Sequence, residues 1–333
     1  MERDRQSSDQ KARVAAIAIG RNEGERLRRC LRSMQDQFDK VVYVDSGSTD
    51  NSLEIAQSFG VDIVELDMTI PFTAARARNA GFTTIVNSNI PFKFVQFVDG
   101  DCALQPEWKP AAVRALQEHS DLAVVTGWRS EINRNDSIYN ALCDFEWRRP
   151  AGDIITCGGD MMVRRQAFQE ISGFNNTVIA AEDDEFCVRI RQAGWRIHRL
   201  PVEMTRHDAD MHSFSQWWRR AVRSGHGFAQ VGNLHSDYFT TERLRVWVFG
   251  FLLPTVALLG SLIGPWIPIG ILSLYLVSYI RTIRGLTRNG LPASEAMSHS
   301  LLLTLSKFPN FIGILTFWWR QLRGRSMQLI EYK

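Results

Sequence analysis

Phe94-Val95-Gln96-Phe97-Val98-Asp99-Gly100-Asp101-Cys102 is the stretch from which the fold is read. Phe94 to Val98 is a short run of aromatic and β-branched residues, the pattern of a strand buried on both faces. It passes directly into Asp-Gly-Asp. The glycine lets the chain bend there, and two carboxylates one residue apart make a compact hard-oxygen site. Such a site suits Mg2+ or Mn2+, ions that share their coordination between carboxylates and phosphates. An ordinary polar turn has the same local sequence, so the surrounding chain decides between the two.

Working outward, Val14 to Ile19 reads as a first buried strand. Asn22-Glu23-Gly24 then leads into a helix with Leu27, Leu31 and Met34 on one side. Val41 to Val44 is a second strand ending in Asp45-Ser46-Gly47-Ser48-Thr49-Asp50, and a helix follows with Glu54 placed for capping. Val61 to Leu66 is a third strand, and Phe72 to about Val86 a helix carrying Arg76, Arg78 and Asn79. This alternation predicts an α/β fold with a Rossmann-like, mostly parallel sheet covered by helices on both faces. Ligands of such sheets bind at the carboxyl ends of the strands. Asn22-Glu23, Asp45-Ser46 and Asp99-Gly100-Asp101 each follow a strand end, so the three clusters are expected to meet on one edge.

Further along, Ala123 to Thr126 reads as a strand and Ser137 to Arg148 as an amphipathic helix. Ile154 to Val163 is an extended pattern in which Gly158-Gly159 points to close approach of the backbone to a ligand. Ala181-Glu182-Asp183-Asp184-Glu185 opens another helix, and Ser213 to Gln230 forms one rich in Trp and Arg. Asp183 lies in a first helical turn, where the helix dipole favours an ionised carboxylate able to accept a proton.

The chain has 39 basic and 36 acidic residues, unevenly placed. Arg281 to Lys333 carries a net +6 and the remainder −3. A basic end beside apolar segments points to anionic lipid headgroups and not to nucleic acid. Trp247 to Ile280 holds no charged residue over 34 positions. A straight helix of that length would run about 51 Å against a bilayer core of roughly 30 Å. Gly264-Pro265 breaks it, predicting a hairpin over 247–280 that either spans or re-enters. Arg243, Arg245, Arg281, Arg284 and Arg288 would lie on the cytoplasmic side of an inner membrane, as would the chain's catalytic part and C-terminus. A helix over about 299–322 is expected to lie in the interface, with Phe317-Trp318-Trp319 at headgroup depth. Residues 1–13 read as a frayed arm, 14–235 as the catalytic domain and 236–333 as the membrane-associated region. Five scattered cysteines without a C-x-x-C pair argue for reduced thiols.

In order along the chain, the motifs resemble those of the family-2 glycosyltransferases. They are Ile19-Gly20-Arg21-Asn22-Glu23, Val44-Asp45-Ser46-Gly47-Ser48-Thr49-Asp50, Ala77-Arg78-Asn79-Ala80-Gly81, Phe97-Val98-Asp99-Gly100-Asp101, Gly158-Gly159 with Gly173-Phe174, Glu182-Asp183 with Arg189, and Arg191-Gln192-Ala193-Gly194-Trp195. The resemblance implies a GT-A fold, a nucleotide-sugar donor linked to UDP or GDP, Mn2+ or Mg2+, and inverting transfer by direct displacement. It implies Asp183 as the catalytic base. Donor contacts are expected from Asn22, Glu23, Asp45 and Ser46, and from Arg78, Asp99 and Arg220. Metal ligation is expected from Asp99, Asp101 and His207. Gly158, Gly159, Asp160 and Glu182 are expected on the acceptor side.

Two departures narrow the reading. Members that extrude polymers carry Q-x-x-R-W, whereas Gln216-Trp217-Trp218-Arg219-Arg220 ends in arginine, and the membrane part has no room for a polysaccharide channel. Single-sugar addition to a lipid-linked, polyprenyl-type acceptor is therefore expected. A polyprenyl-phosphate sugar synthase and a catalytically silent nucleotide-sugar-binding membrane scaffold remain alternatives at this point.

Overall fold

A computed structural model describes residues 13–331; the expected arm over 1–13 lies outside the described residues except for Arg13. The chain forms two compact units, one of Met1–Ser130, Trp147–Asn175 and Asp183–Asp208, the other of Glu131–Glu146, Asn176–Glu182 and Ala209–Lys333. They interleave along the sequence, where a single boundary after residue 235 was expected.

The first unit is built on a nine-stranded sheet. Its strands are β1 (Val14–Gly20), β2 (Lys40–Asp45), β3 (Asp62–Glu65), β4 (Phe94–Asp99), β5 (Cys102–Leu104), β6 (Leu122–Glu131), β7 (Gly152–Ile154), β8 (Met161–Arg164) and β9 (Arg196–His207). The order is β3-β2-β1-β4-β8-β6-β9-β5, with β7 paired to β9. β3, β2, β1 and β4 run parallel, as the strand–helix alternation predicts. Beyond β4 the pairs β4–β8, β6–β8, β5–β9 and β7–β9 are antiparallel, so the sheet is mixed.

Alternate residues of β1 explain its two-sided burial. Ala15, Ile17 and Ile19 pack with Ala77, Phe82 and Ile85 of the helix Ala74–Asn87 on one face. Val14, Ala16 and Ala18 pack with Leu27, Leu31 and Met34 of the helix Glu25–Met34 on the other. Register then sets the functional edge. Ile19 stands opposite Asp99 and Gly20 opposite Asp45, so the ends of β1, β2 and β4 coincide. The extended stretch expected over 154–163 is instead two short strands, β7 and β8, with Gly158-Gly159 in the loop between them. All five cysteines are free and buried.

The second unit is helical. Ser213 and Gln216 form a capping box at the start of the helix Phe214–Leu234. This accounts for Gln216 locally, whatever its motif suggests. That helix packs on Lys307–Leu322 at backbone contact distance: a Cβ added to Gly225 would lie 2.0 Å from the Asn310 carbonyl oxygen, and one on Gly313 would lie 2.0 Å from that of Val222. Among the described residues three helices, Thr240–Gly260, Trp266–Arg288 and Ala293–Leu322, are long and apolar enough to cross a membrane. The first two are separated at the expected Gly264-Pro265 break. Phe317 is buried in the unit while Trp318 and Trp319 are exposed.

His226 is fully buried in this helix pair, its ring 5.5 Å from that of Phe317, with neither ring nitrogen hydrogen-bonded. Burial, aided by the charge of Arg320, pushes its pKa down to about 3. The folded chain therefore keeps His226 neutral while the unfolded chain protonates it near pH 6.5. Stability is full above that value and falls as pH drops toward 3, by up to about 1.4 kcal/mol per unit. The unfolding midpoint in detergent should thus drop between pH 7.5 and 5, and drop less in His226→Phe; equal slopes would contradict this.

Candidate active site

The edge where β1, β2 and β4 end is organised by buried carboxylates. Asp45 is almost fully buried; one oxygen accepts from the backbone N–H of Gly47 (2.9 Å) and Ser48 (2.8 Å), and the other from the Tyr43 hydroxyl (3.0 Å). Burial beside this carboxylate pushes the Tyr43 hydroxyl pKa up. The Asp45 carboxylate thus shapes the 46–49 loop. Asn22 is pinned to the same loop. Its backbone N–H donates to Ser48 Oγ (2.9 Å) and its side-chain oxygen accepts from Thr49 N–H (2.7 Å). It holds a left-handed φ of 56°. Glu23 pairs with Arg26 at 2.9 Å, and its backbone N–H donates to Ser52 Oγ. Ser46 is buried beside them, its N–H donating to the Gly20 carbonyl.

Asp99 sits between two guanidinium groups. One oxygen lies 2.8 Å from Arg78 Nη2, and the other 3.6 Å from Arg129 Nη2. Arg78 rises from the helix Ala74–Asn87, whose N-terminus is capped by Thr73. Arg129 comes from β6 and its main partner is Asp160, at 2.6 Å. Asp160 was expected to face the acceptor. Its carboxylate is instead fully buried, accepting from the Asp99 N–H (2.9 Å) and the Thr205 hydroxyl (2.9 Å), so it supports the site from behind. Asp99 was also expected to ligate metal; in this geometry one of its oxygens is hydrogen-bonded to Arg78 and the other lies 3.6 Å from Arg129.

Asp101 and His207 do fit a divalent cation. Asp101 Oδ2 lies 3.3 Å from His207 Nε2, an oxygen–nitrogen set that Mn2+ accepts. Cys102 completes a cluster of three potential ligands, but its buried thiol donates to Asp101 Oδ1 at 3.6 Å and its pKa is pushed well up by burial, which keeps it protonated. The Trp147 ring lies edge-on to His207 at 4.6 Å and 5.3 Å from the Arg129 guanidinium carbon. Arg129 and Trp147 were not singled out from sequence. Arg129 lies beyond the apolar run of its strand, and Trp147 closes an otherwise amphipathic helix.

The four consecutive acids at the next helix start have separate tasks. Glu185 pairs with Arg189 at 2.7 Å and Asp184 accepts from Thr156 Oγ1 at 2.8 Å. Asp183 accepts from the Asp184 N–H with Oδ1 (2.9 Å), while its Oδ2 faces the glycine loop. A Cβ added at Gly158 would lie 3.9 Å from both Asp183 Oδ2 and Arg129 Nη2. One added at Gly159 would lie 2.0 Å from Arg78 Nη2 and 3.4 Å from Asp99 Oδ1. The Gly158-Gly159 backbone therefore joins Asp183 to the Arg78–Asp99–Arg129 cluster on one rim. Glu182 and Arg220 belong to the second unit. There Glu182 is buried and Arg220 donates twice to Glu146 Oε2 at 3.1 Å.

Residues 17–172 match the profile described as glycosyl transferase family 2, and 137–212 match one described as the N-terminal domain of galactosyltransferase. A TPR repeat-containing protein of Synechococcus elongatus is 25% identical over 197 residues, 59% of this chain and 42% of that protein. The chain thus spans less than half the length of this relative. Glycosyltransferase AglE of Haloferax volcanii is 25% identical over 257 residues, covering 72% of this chain and 81% of the relative. Among solved structures, the mannosyltransferase PcManGT of Pyrobaculum calidifontis, in complex with GDP-Man and Mn2+, superposes with a TM-score of 0.58 at 14% identity, over 96% of this chain and 93% of that one. The shared fold is GT-A.

The two glycines should differ sharply when substituted. Gly159→Ala drives a methyl into a buried guanidinium already committed to Asp99, whereas Gly158→Ala meets only ordinary contacts. Thermal unfolding should show Gly159→Ala destabilised by about 1–3 kcal/mol and Gly158→Ala near wild type. Equal effects would contradict the placement of Arg78.

Proposed function

From the match of residues 17–172 to glycosyl transferase family 2 and the shared fold, we propose that this chain is an inverting enzyme of that family moving one sugar from a UDP- or GDP-linked donor to a lipid-linked, polyprenyl-type acceptor. The supporting observation is the single rim that carries Asp183, Arg78, Arg129 and Asp99 around Gly158-Gly159. The nucleoside would lie against the loop that Asp45 and Asn22 organise, with Ser46 and Glu23 beside it. Its diphosphate would face Arg78 and Arg129, whose planar forks suit phosphate oxygens. Asp99 holds those two cations in place before the donor arrives. Asp101 and His207 would hold Mn2+ or Mg2+, which supplies positive charge to the departing diphosphate.

Asp183 would take the proton from the acceptor hydroxyl as its oxygen attacks the anomeric carbon from the face opposite the diphosphate. The carbon–oxygen bond to the diphosphate breaks in the same displacement, and the configuration inverts. A helix N-terminus favours the ionised carboxylate that this step needs. The three apolar helices support a membrane location. The cationic Arg281, Arg284 and Arg288 at the end of the second would keep that end, and the catalytic unit, on the cytoplasmic side of an inner membrane. A polyprenyl carrier keeps its hydroxyl near such a surface. The absence of the full Q-x-x-R-W run, with Gln216 engaged in capping, favours a single addition over polymer extrusion.

Purified protein in detergent should consume one nucleotide sugar from a UDP and GDP panel when Mn2+ and a lipid extract are present, and stop when EDTA is added. No metal-dependent turnover with any donor would contradict the proposal. Asp183→Asn should reduce turnover about 100-fold or more while donor-induced thermal stabilisation persists. Near-normal turnover would instead indicate an acceptor that is already ionised, such as a phosphate. Asp101→Ala should weaken Mn2+-dependent donor binding about tenfold, and unchanged affinity would remove Asp101 from the metal site.

A further inference from the structure

Between Glu295 and Arg320, Lys307 is the sole Lys, Arg, Asp or Glu in a helical stretch otherwise suited to a bilayer. An ionisable group in such a position costs free energy unless it serves a ligand or a partner. The helix interrupts itself there, with Ala293–Leu305 ending and Lys307–Leu322 beginning across Ser306. Pro309 is the cause, since it has no N–H to offer the Leu305 carbonyl.

Packed on this break is a π-helical turn, Val248–Leu252, inside the first apolar helix. The approach is close: a Cβ at Gly250 would lie 2.4 Å from the Lys307 carbonyl oxygen. The Tyr275 hydroxyl donates to the Phe249 carbonyl of the same turn. Local π-turns recur at functional sites because they redirect backbone groups and side chains. One turn before this corner stands Arg245.

The charges facing Lys307 are Arg245, Glu242 and Glu146. Glu146 is engaged by Arg220 at 3.1 Å. The Lys307 ammonium reaches Ser306 Oγ at 3.4 Å, and among the described residues neither it nor Arg245 has a carboxylate within ion-pair distance. Lys307 therefore stands at this corner with Arg245, Glu242 and Glu146 as its neighbouring charges and with neither cation ion-paired, and apolar helices leave from that point.

We propose that Lys307, assisted by Arg245, binds the phosphate of the lipid carrier, with the isoprenoid chain lying along the apolar helices. This rests on the lipid-linked acceptor reading and adds a site to it. The chemistry is that of a phosphate ester on an apolar chain, for which a compact ammonium is a suitable point charge. A phospholipid headgroup offers related chemistry, so the test separates the two sources.

The full chain in phosphatidylcholine nanodiscs is titrated with farnesyl phosphate, farnesol and inorganic phosphate while the unfolding midpoint is followed. Farnesyl phosphate should raise the midpoint; farnesol and inorganic phosphate should not. Lys307→Met should weaken the apparent affinity for farnesyl phosphate about tenfold, and Lys307→Arg should retain it. Arg245→Gln, at an exposed side chain, should give a smaller loss of the same sign and stands as the test should Lys307→Met not fold. An unchanged response in Lys307→Met or, in that event, in Arg245→Gln would overturn the proposal. So would an equal response to farnesol, or saturation by phosphatidylglycerol in the disc. Stabilisation by Mn2+ with a nucleotide sugar is recorded in parallel. Its loss alone would contradict the donor reading, and loss of the farnesyl phosphate response alone would contradict this site.

Discussion

Arg129, clamped between the buried Asp160 and the rim carboxylate of Asp99, is the contact on which the first unit's chemistry depends. Removing a carboxylate such as Asp160 from water is unfavourable unless a cation and several donors meet it. Here they do: Arg129, the Thr205 hydroxyl and the Asp99 N–H all converge on it. Three strands are tied together in this way, β4 through Asp99, β6 through Arg129 and β9 through Thr205. A buried carboxylate met by a cation and two hydrogen-bond donors is held in place, and charges fixed in this way stand ready for a ligand. Asp99 is thereby prevented from wandering, and Arg78 closes it from the other side.

Around this network the chain uses small residues where backbone has to pass close to charge. Gly159 lies directly over the Arg78 guanidinium, leaving no room for a methyl. Asn79, next to Arg78, ties the helix to the Phe174 backbone through two hydrogen bonds of 2.7 and 2.9 Å. The loop that brings Gly173-Phe174 toward Phe97 and Phe186 is thus fixed to the helix that carries Arg78. Packing and charge placement are consequently coupled. A change in the aromatic layer reaches the rim through one helix.

The parallel half of the sheet was legible because β1, β2 and β4 are apolar runs ending in polar clusters, and because register follows from that pattern. The Asp-Gly-Asp bend, the helix-start acids and the close approach of Gly158-Gly159 were legible for the same local reasons. What lay beyond reach depended on partners distant in sequence. β9 mixes charged and apolar residues over twelve positions and pairs along its length with β6, β5 and β7, so no clean alternation marks it. Asp160 looks like a loop acid until Arg129 and Thr205 are placed against it. Asp45 resembles a ligand contact, yet its oxygens are consumed by its own loop. In the second unit, Lys307 and Pro309 read as interruptions of an apolar segment, and only the packing of Gly250 shows what the interruption meets.

A double-mutant cycle on Arg129→Gln and Asp160→Asn, followed by chemical unfolding in detergent, measures this buried contact itself. Each single change should destabilise the protein, because it leaves a buried charge without its partner. The double variant should recover much of the loss, giving a coupling of about 1–3 kcal/mol. Losses that add within about 0.5 kcal/mol would mean that the two residues do not depend on each other, and the rim would have to be held by something else.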